Sequence, residues 1–182
     1  MSASRTFVAL LRGVNLAGRN KVPMPELRSA LESLGLEDVV TYIQSGNVVF
    51  RTRGDRAPQL AGRIERQIAG AFGIDVVVIL RTPAELAGIA RGNPFLRRGA
   101  DPSKLHVLFL GGKPTKKAAA QLDPERSPPD EFKLAGREIY LHMPNGFGRS
   151  KLTVDDFERR LGVAATARNW KTVTKLVELT GA

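Results

Sequence analysis

The sequence predicts an α+β protein built from two tandem α/β plaits, with a junction helix between them and an extra helix at the C-terminus. Three observations support this prediction. The element order βαββαβ occurs twice along the chain, and we call the two occurrences the first and the second pass. Polar loops fall at similar places in both passes, and the 182 residues suit two domains of about 90 residues each. We place the first plait at residues 1–82, the junction at 83–103, and the second plait with the last helix at 104–182.

The first pass begins with an apolar strand that ends in glycine, Phe7-Val-Ala-Leu-Leu-Arg-Gly13. A helix is predicted from about Pro25 to Leu34, because apolar residues recur there at helical spacing on one face. That face consists of Met24, Leu27, Leu31 and Leu34. Gly35 is a typical helix stop and ends the element.

A β-hairpin follows the first helix. Its strands are residues 39–44 and 48–52, which meet at Ser45-Gly46-Asn47. Glycine at this joint permits the positive φ angle that tight hairpin turns require. The hairpin therefore supplies the second and third strands of the first plait.

A second helix completes the first pass together with one more strand. Asp55 and Pro58 open this helix, and Gly73 ends it. Leu60, Ile64 and Ile68 recur at helical spacing on its apolar face. The apolar run at residues 76–80 is then the fourth strand.

The junction holds a short helical stretch, Ala84–Ala90, and two loop-like segments in which glycine and proline interrupt longer elements. These segments are Gly92-Asn-Pro-Phe95 and Gly99-Ala-Asp-Pro102. The second pass then starts with the apolar strand Leu105–Leu110, which is followed by two glycines as the first strand was followed by one. A short helix is predicted from Pro114 to Leu122.

The remainder of the second pass repeats the hairpin, helix and strand. Leu134-Ala-Gly-Arg137 turns between two strands. Thr153-Val-Asp-Asp156 is similar to a capping box, so a helix begins there and ends at Gly162. Residues 165–168 form a short fourth strand, and the extra helix runs from about Trp170 to Leu179.

Composition narrows the class of protein. The chain has no cysteine, which excludes disulfides and thiolate chemistry. The longest apolar run near the N-terminus, Phe7–Leu11, is too short for a signal sequence or a membrane span. We therefore expect a cytoplasmic protein with no membrane partner.

A net charge of +10 favours anionic partners such as nucleic acid or phosphorylated metabolites. The charge also has a general explanation, because arginine makes up 19 of the 28 basic residues in a chain rich in alanine and glycine. Base composition of the coding DNA would produce such an excess. Local clusters of charge are therefore more informative than the total.

Strand direction in a plait brings polar motifs together. With antiparallel strands in the order 4-1-3-2, the loop after the first strand, residues 12–21, lies at the same edge of the sheet as Gln44-Ser-Gly-Asn47. The candidate ligand-binding residues at this edge are Arg12, Asn15, Lys21, Ser45 and Asn47.

In the second plait the same geometry gathers residues 145–151 and 168–172 at one edge, and each segment leads into a helix. Backbone N–H groups at a helix start, with arginine or lysine beside them, suit a phosphate or carboxylate. The candidates are Arg149, Ser150, Lys151, Arg168, Asn169 and Lys171. Alternatively, Asn169 and either Ser150 or Thr153 are ordinary N-caps, and Trp170 docks the last helix.

Six motifs together resemble the domain of unknown function 1697 family. They are Leu10-Leu-Arg-Gly-Val-Asn15, Val22-Pro-Met-Pro-Glu-Leu-Arg28, Thr41-Tyr-Ile-Gln-Ser-Gly-Asn-Val48, Asn93-Pro-Phe95, Gly148-Arg-Ser-Lys-Leu152 and Thr166-Ala-Arg-Asn-Trp-Lys-Thr-Val173. The resemblance covers nearly the whole chain and implies two tandem ferredoxin-like α/β plaits. Ala17-Gly18 and Lys171 depart from commoner residues of the family. Because the family's biochemical role is not established, the resemblance implies no catalytic residue.

No reaction is identified from the sequence. His106 and His142 have no carboxylate or hydroxyl nearby in sequence with which to form a catalytic pair or triad. The loop at residues 12–18 lacks the Gly-Lys-Ser/Thr of a phosphate loop and does not match a dinucleotide fingerprint. No metal and no cofactor is expected. An enzyme acting on a phosphorylated substrate through Ser45 and Asn47 stays an alternative.

Many plaits read RNA by stacking bases on an uncovered sheet face. This chain argues against that mode, because apolar residues occupy both faces of its strands and both faces should be buried. Nucleic acid would then bind at strand edges through its phosphates. The preferred hypothesis is a binding protein for a phosphorylated small molecule or a nucleic-acid backbone, with a structural or assembly protein as a further alternative.

Overall fold

A computed structural model of the chain describes residues 4–54 and 56–182, so the predicted helix opening at Asp55 lies outside the described residues. The strands are β1 (Ser4–Leu11), β2 (Glu37–Tyr42), β3 (Asn47–Arg53), β4 (Val78–Arg81), β5 (Leu105–Leu110), β6 (Glu131–Ala135), β7 (Glu138–His142) and β8 (Ala165–Asn169). The α-helices are α1 (Met24–Glu32), α2 (Ala57–Phe72), α3 (Pro83–Gly92), α4 (Pro94–Arg97), α5 (Lys116–Ala119), α6 (Val154–Leu161) and α7 (Trp170–Thr180).

The chain divides into two compact units. Unit 1 consists of the described residues through Leu86 together with Leu176–Ala182, and unit 2 is Ala87–Lys175. Each unit contains one four-stranded antiparallel sheet, ordered β2-β3-β1-β4 in unit 1 and β6-β7-β5-β8 in unit 2. These orders confirm the predicted fold of two tandem ferredoxin-like plaits.

The core of unit 1 lies between its sheet and the helices α1 and α2. It includes the inward residues of the strands and the apolar faces of both helices: Phe7, Ala9, Leu11, Val48, Phe50, Leu27, Leu31, Leu60, Ile64 and Ile68. Val8 and Leu10 alternate with these residues in β1 and therefore belong to the opposite face. Both are fully buried. Burial of both sheet faces is thus confirmed for β1.

The core of unit 2 lies where α6 packs on the sheet, with Leu108, Ile139 and Phe157 among its residues. On the opposite face, the Tyr140 hydroxyl donates a 3.0 Å hydrogen bond to the Ile89 carbonyl oxygen in α3. Burial raises the pKa of Tyr140 above its ordinary value. Burial of the opposite face is thus confirmed at Tyr140, whereas Lys133, its partner on the same face of the edge strand β6, is exposed.

Two local predictions were wrong. Residues 92–95 are not all loop, because the Asn93 side chain accepts hydrogen bonds from the N–H groups of Phe95 and Leu96 and so starts α4. The helix predicted from Pro114 to Leu122 is only the four residues of α5. Its C-terminal end tightens into a turn in which the Leu122 N–H bonds to Ala119 O, shortly before Pro124, which disfavours helix in the preceding residue.

Candidate functional site

The loop after β1 and the β2–β3 turn meet at one edge of the unit 1 sheet, as predicted. The Leu11 N–H donates a 2.8 Å hydrogen bond to Gly46 O. The Asn15 amide donates to Gln44 O at 2.7 Å. The predicted neighbourhood of the two polar motifs in unit 1 is therefore confirmed.

Asn15 anchors this loop through a set of short hydrogen bonds. Its Nδ2 donates to Val22 O at 2.9 Å as well as to Gln44 O, and its Oδ1 accepts from Val22 N at 2.8 Å. The backbone of Asn15 has a φ of +53°, a region that asparagine tolerates better than most residues. Asn15 thus joins the two ends of the loop to each other, through Val22, and the loop to the hairpin, through Gln44.

Replacing Asn15 with aspartate should destabilise unit 1, because a carboxylate would face two carbonyl oxygens that the amide now satisfies. We expect Asn15→Asp to lower the free energy of unfolding by about 2 kcal/mol, the scale of two hydrogen bonds lost from a partly buried site. Urea denaturation measures this loss. The control Asn20→Asp removes an amide that donates to Gly13 O; a loss as large as that of Asn15→Asp would contradict the anchoring role.

The other candidates in unit 1 divide into hairpin residues and cations. Asn47 is fully buried and donates to Tyr42 O and to Ser45 Oγ, both at 3.0 Å. These bonds hold the turn itself. Arg12 is half-buried and its N–H donates to Val77 O, while Lys21 is exposed. Ligand contact by these residues stays a prediction.

In unit 2, the segment 145–151 packs against the turn before β6. The Lys151 N–H donates to Ser127 Oγ at 3.1 Å, and Ser127 Oγ donates to Asp130 Oδ2 at 2.8 Å. Ser150 Oγ accepts from Leu152 N at 3.0 Å. Ser150 therefore serves local structure, whereas Arg149 and the Lys151 side chain are exposed.

The segment 168–172 contains one buried and one exposed candidate cation. Arg168 is buried and donates from one guanidinium nitrogen to Thr166 Oγ1 at 2.7 Å and to Ala167 O at 2.8 Å. Burial lowers the pKa of Arg168 to about 10. Lys171, in the first turn of α7, is exposed. Of these two, Lys171 is the cation that a soluble anion can reach.

The capping alternative for Asn169 is confirmed, because its Oδ1 accepts the Thr172 N–H at 2.8 Å. Thr153 is likewise an N-cap, since its Oγ1 accepts the Asp156 N–H at 3.2 Å. Trp170 is 6% exposed, in keeping with a helix whose first residue packs inward. Capping fixes where α7 begins, and so it also fixes the positions of Lys171 and Trp170.

The two motifs of unit 2 flank His106 at the start of β5. The Cα of His106 is paired across the sheet with that of Asn169, and its ring lies 4.9 Å from the ring of Phe147, centroid to centroid. Desolvation lowers the pKa of His106. Residues 145–151 and 168–172 therefore gather at the same edge, as the strand order predicts.

A cavity of about 470 Å³ runs along the first turn of α7. It is lined by Pro102, Ser103, Asn169, Trp170, Lys171 and Thr174. Asn169 and Lys171 were candidates from the sequence, whereas Ser103 and Pro102 were not. The signal that could have found them is topological, because the start of β5 lies beside the end of β8.

Asp101 holds the Ser103 side of this cavity. Its Oδ1 accepts the Ser103 N–H at 2.9 Å and opens the short 3₁₀ helix Pro102–Lys104. Hydrogen bonds from Ser103 lower the pKa of Asp101 below its ordinary value. The wall opposite α7 is thus a capped turn with a defined conformation.

A separate polar cluster lies in α6 and was not predicted as such. Asp156 is buried and pairs with Arg126 at 2.8 Å, with Arg160 at 3.1 Å and with Arg159. Acidic residues in a first helical turn ordinarily complement the helix dipole, and that pattern alone does not indicate an ion-pair cluster. Nothing in the described part of the chain groups three or more His, Asp or Glu side chains in a way that could hold a metal ion.

Comparisons with known proteins agree with the fold. The family model described as "Protein of unknown function (DUF1697)" matches residues 4–140. A solved structure, that of the conserved bacterial protein SP0830 from Streptococcus pneumoniae, is similar with a TM-score of 0.74 at 24% identity, covering 98% of this chain and 99% of that chain. A search of curated proteins found no match.

Proposed function

We propose, from the premise that this chain belongs to the DUF1697 family of proteins of unknown function, that unit 2 binds a small molecule carrying a phosphate group. The observation that supports this most is the cavity along the first turn of α7, with Lys171 on its wall. Its volume of about 470 Å³ falls in the range of small-molecule sites. The proposal concerns binding and assigns no reaction.

The lining of the cavity suits a ligand with one charged and one apolar part. Lys171 supplies a cation, and Ser103 and Asn169 supply polar groups. The start of α7 adds the positive end of the helix dipole. Pro102 is exposed and Trp170 contributes the small part of its ring that is not buried, so an apolar group can pack there. A nucleoside monophosphate combines these two parts, whereas inorganic phosphate has only one.

Titration calorimetry with nucleoside monophosphates and the corresponding nucleosides tests the proposal. We expect binding of monophosphates that weakens as salt increases, and little binding of the nucleosides. Lys171→Gln should raise the dissociation constant about tenfold, which corresponds to about 1.4 kcal/mol. Lys133→Gln, which removes an exposed lysine of β6 outside the cavity lining, is the matched control.

Two results would contradict this function. Equal affinity for nucleosides and monophosphates would show that no phosphate is recognised. Equal weakening by Lys171→Gln and Lys133→Gln would show that the general positive charge of the chain, and not this cavity, attracts the ligand.

A further inference from the structure

One end of the unit 1 sheet carries exposed apolar side chains on three separate connections. Leu16 lies in the loop after β1, Ile43 in the β2–β3 turn and Val77 just before β4, and they are 59%, 49% and 38% exposed. The connections are adjacent, since Asn15 bonds to Gln44 O and the Arg12 N–H bonds to Val77 O. We call Leu16, Ile43 and Val77 the loop-tip patch.

The backbone around the loop-tip patch is held in a conformation that most residues avoid. Among the described non-glycine residues, positive φ angles in these connections occur at Asn15, Ala17, Asn20 and Ile43. Ile43 has a φ of +50°, and a β-branched residue in the left-handed region is a genuine outlier. Exposure to solvent and backbone conformation both disfavour isoleucine at this position. Such outliers are often found at functional sites.

The loop that carries Leu16 is held by hydrogen bonds at several points. Asn15 bonds to Val22 and Gln44, Asn20 donates to Gly13 O, and Leu16 forms an isolated β-bridge with Arg19. A loop that is already ordered loses little conformational entropy when it binds a surface. The apolar side chains are therefore presented in a preorganised arrangement.

Cations surround the patch. Arg19 and Lys21 are exposed in the loop that carries Leu16, and Arg12 is half-buried at its start. The loop at residues 12–23 and the turn at residues 43–46 contain no acidic residue. Two carboxylates oppose these cations at the third connection: Asp75, beside Val77, and Glu65, whose Oε1 accepts the Val78 N–H at 2.9 Å. The balance of charge favours an anionic partner.

We propose that the loop-tip patch docks unit 1 onto an anionic lipid surface, with Leu16 and Ile43 entering the acyl boundary and Arg19 and Lys21 contacting headgroup phosphates. Apolar side chains flanked by lysine and arginine are the combination that interfacial binding uses. A nucleic-acid backbone would use the cations but gain little from Leu16 or Ile43. The three connections also contain no aromatic ring on which bases could stack.

The sequence led us to expect no membrane partner, and this proposal differs from that expectation. That expectation depended on the lack of a spanning segment, and within the residues that the structure describes no helix has the length and apolarity to cross a membrane. Interfacial association needs no spanning helix, because it buries apolar side chains only as far as the boundary between headgroups and acyl chains. The loop-tip patch shares no residue with the cavity lining, so either proposal can fail alone.

Sedimentation of the full chain with phosphatidylcholine vesicles, with and without phosphatidylglycerol, tests the docking. Wild-type protein should bind the vesicles that contain phosphatidylglycerol. Ile43→Asn should weaken this binding about tenfold, the scale of one apolar side chain withdrawn from lipid. The same variant should keep or raise the melting temperature, because asparagine tolerates a positive φ. A binding loss in a variant that is at least as stable cannot come from misfolding.

Further variants separate insertion from general attraction. Arg19→Gln and Lys21→Gln should each weaken binding about fivefold, whereas Arg66→Gln on α2 and Leu179→Gln on α7 should not. Binding that responds to the cations but not to Ile43→Asn would overturn the proposal in favour of general attraction by net charge. The proposal would also be overturned if the wild-type protein did not bind the vesicles. If it instead bound an RNA duplex and Ile43→Asn abolished that binding, the partner of the patch would be nucleic acid.

Discussion

Asp156→Asn should lower the free energy of unfolding by about 3 kcal/mol, which is the largest effect that we expect from a single charge removal in this chain. Asp156 is buried at the start of α6 and is paired with three arginines. The amide keeps the size of the side chain but removes its charge. Arg126, Arg159 and Arg160 would then repel one another without compensation.

Denaturation in urea, with the midpoint as the measured quantity, gives the loss for Asp156→Asn. The control is Asp155→Asn, because Asp155 occupies the same first helical turn but is exposed. Removing an exposed charge there should cost no more than about 1 kcal/mol, because solvent weakens whatever interactions that charge makes. If the two variants lost equal stability, the buried pairing of Asp156 would contribute no more than an exposed carboxylate of the same helical turn.

Gly46→Ala should also destabilise the protein by about 3 kcal/mol, through two additive causes. The φ of Gly46 is +75°, which costs an alanine about 1 kcal/mol. An added Cβ would lie 2.6 Å from Val14 Cγ2 and 2.7 Å from Leu11 Cβ. Relieving that overlap in a buried site costs about 1 to 3 kcal/mol more.

Gly13→Ala separates the two causes of the Gly46 effect. The φ of Gly13 is +71°, but an added Cβ there would meet no atom within 4 Å. Its loss should therefore be about 1 kcal/mol, from backbone conformation alone. The midpoints of thermal or urea unfolding measure both losses. If the midpoints of the two variants did not differ, the hairpin would be able to move away from β1 and relieve the overlap.

Much of the fold could be predicted from the sequence because the pattern repeats. The order βαββαβ, read with antiparallel strands, correctly predicted both strand orders and both edges at which polar motifs meet. Local signals also worked where a side chain caps a helix, as at Thr153 and Asn169. These features depend on neighbours in sequence or on strand direction, and both can be derived from one chain.

Features that depend on distant contacts could not be predicted. Arg168 was expected to present its charge to a ligand, but its guanidinium is buried among strand residues. Ser103 lines the cavity because of a capped turn before β5, where glycine and proline in the sequence indicate only a loop. Arg126 reaches Asp156 from another part of the chain. The spacing of residues along the sequence does not indicate these long-range contacts.

The candidate residues of the site likewise divide into those that make local contacts and those that are exposed. Asn15, Asn47 and Ser150 form hydrogen bonds with nearby backbone or hydroxyl groups. Polar residues in such motifs thus shape the loops. The exposed candidate cations are the groups available for charge recognition, namely Lys21, Arg149, Lys151 and Lys171.

Fluorescence of Trp170 tests the central claim most directly, because it is the single tryptophan of the chain and it lines the cavity. Titration with a nucleoside monophosphate should give a saturable change in indole emission, which is absent with the corresponding nucleoside and weakened about tenfold in Lys171→Gln. An emission spectrum unaffected by monophosphates, or a titration that is identical in wild type and Lys171→Gln, would contradict phosphate recognition at the start of α7.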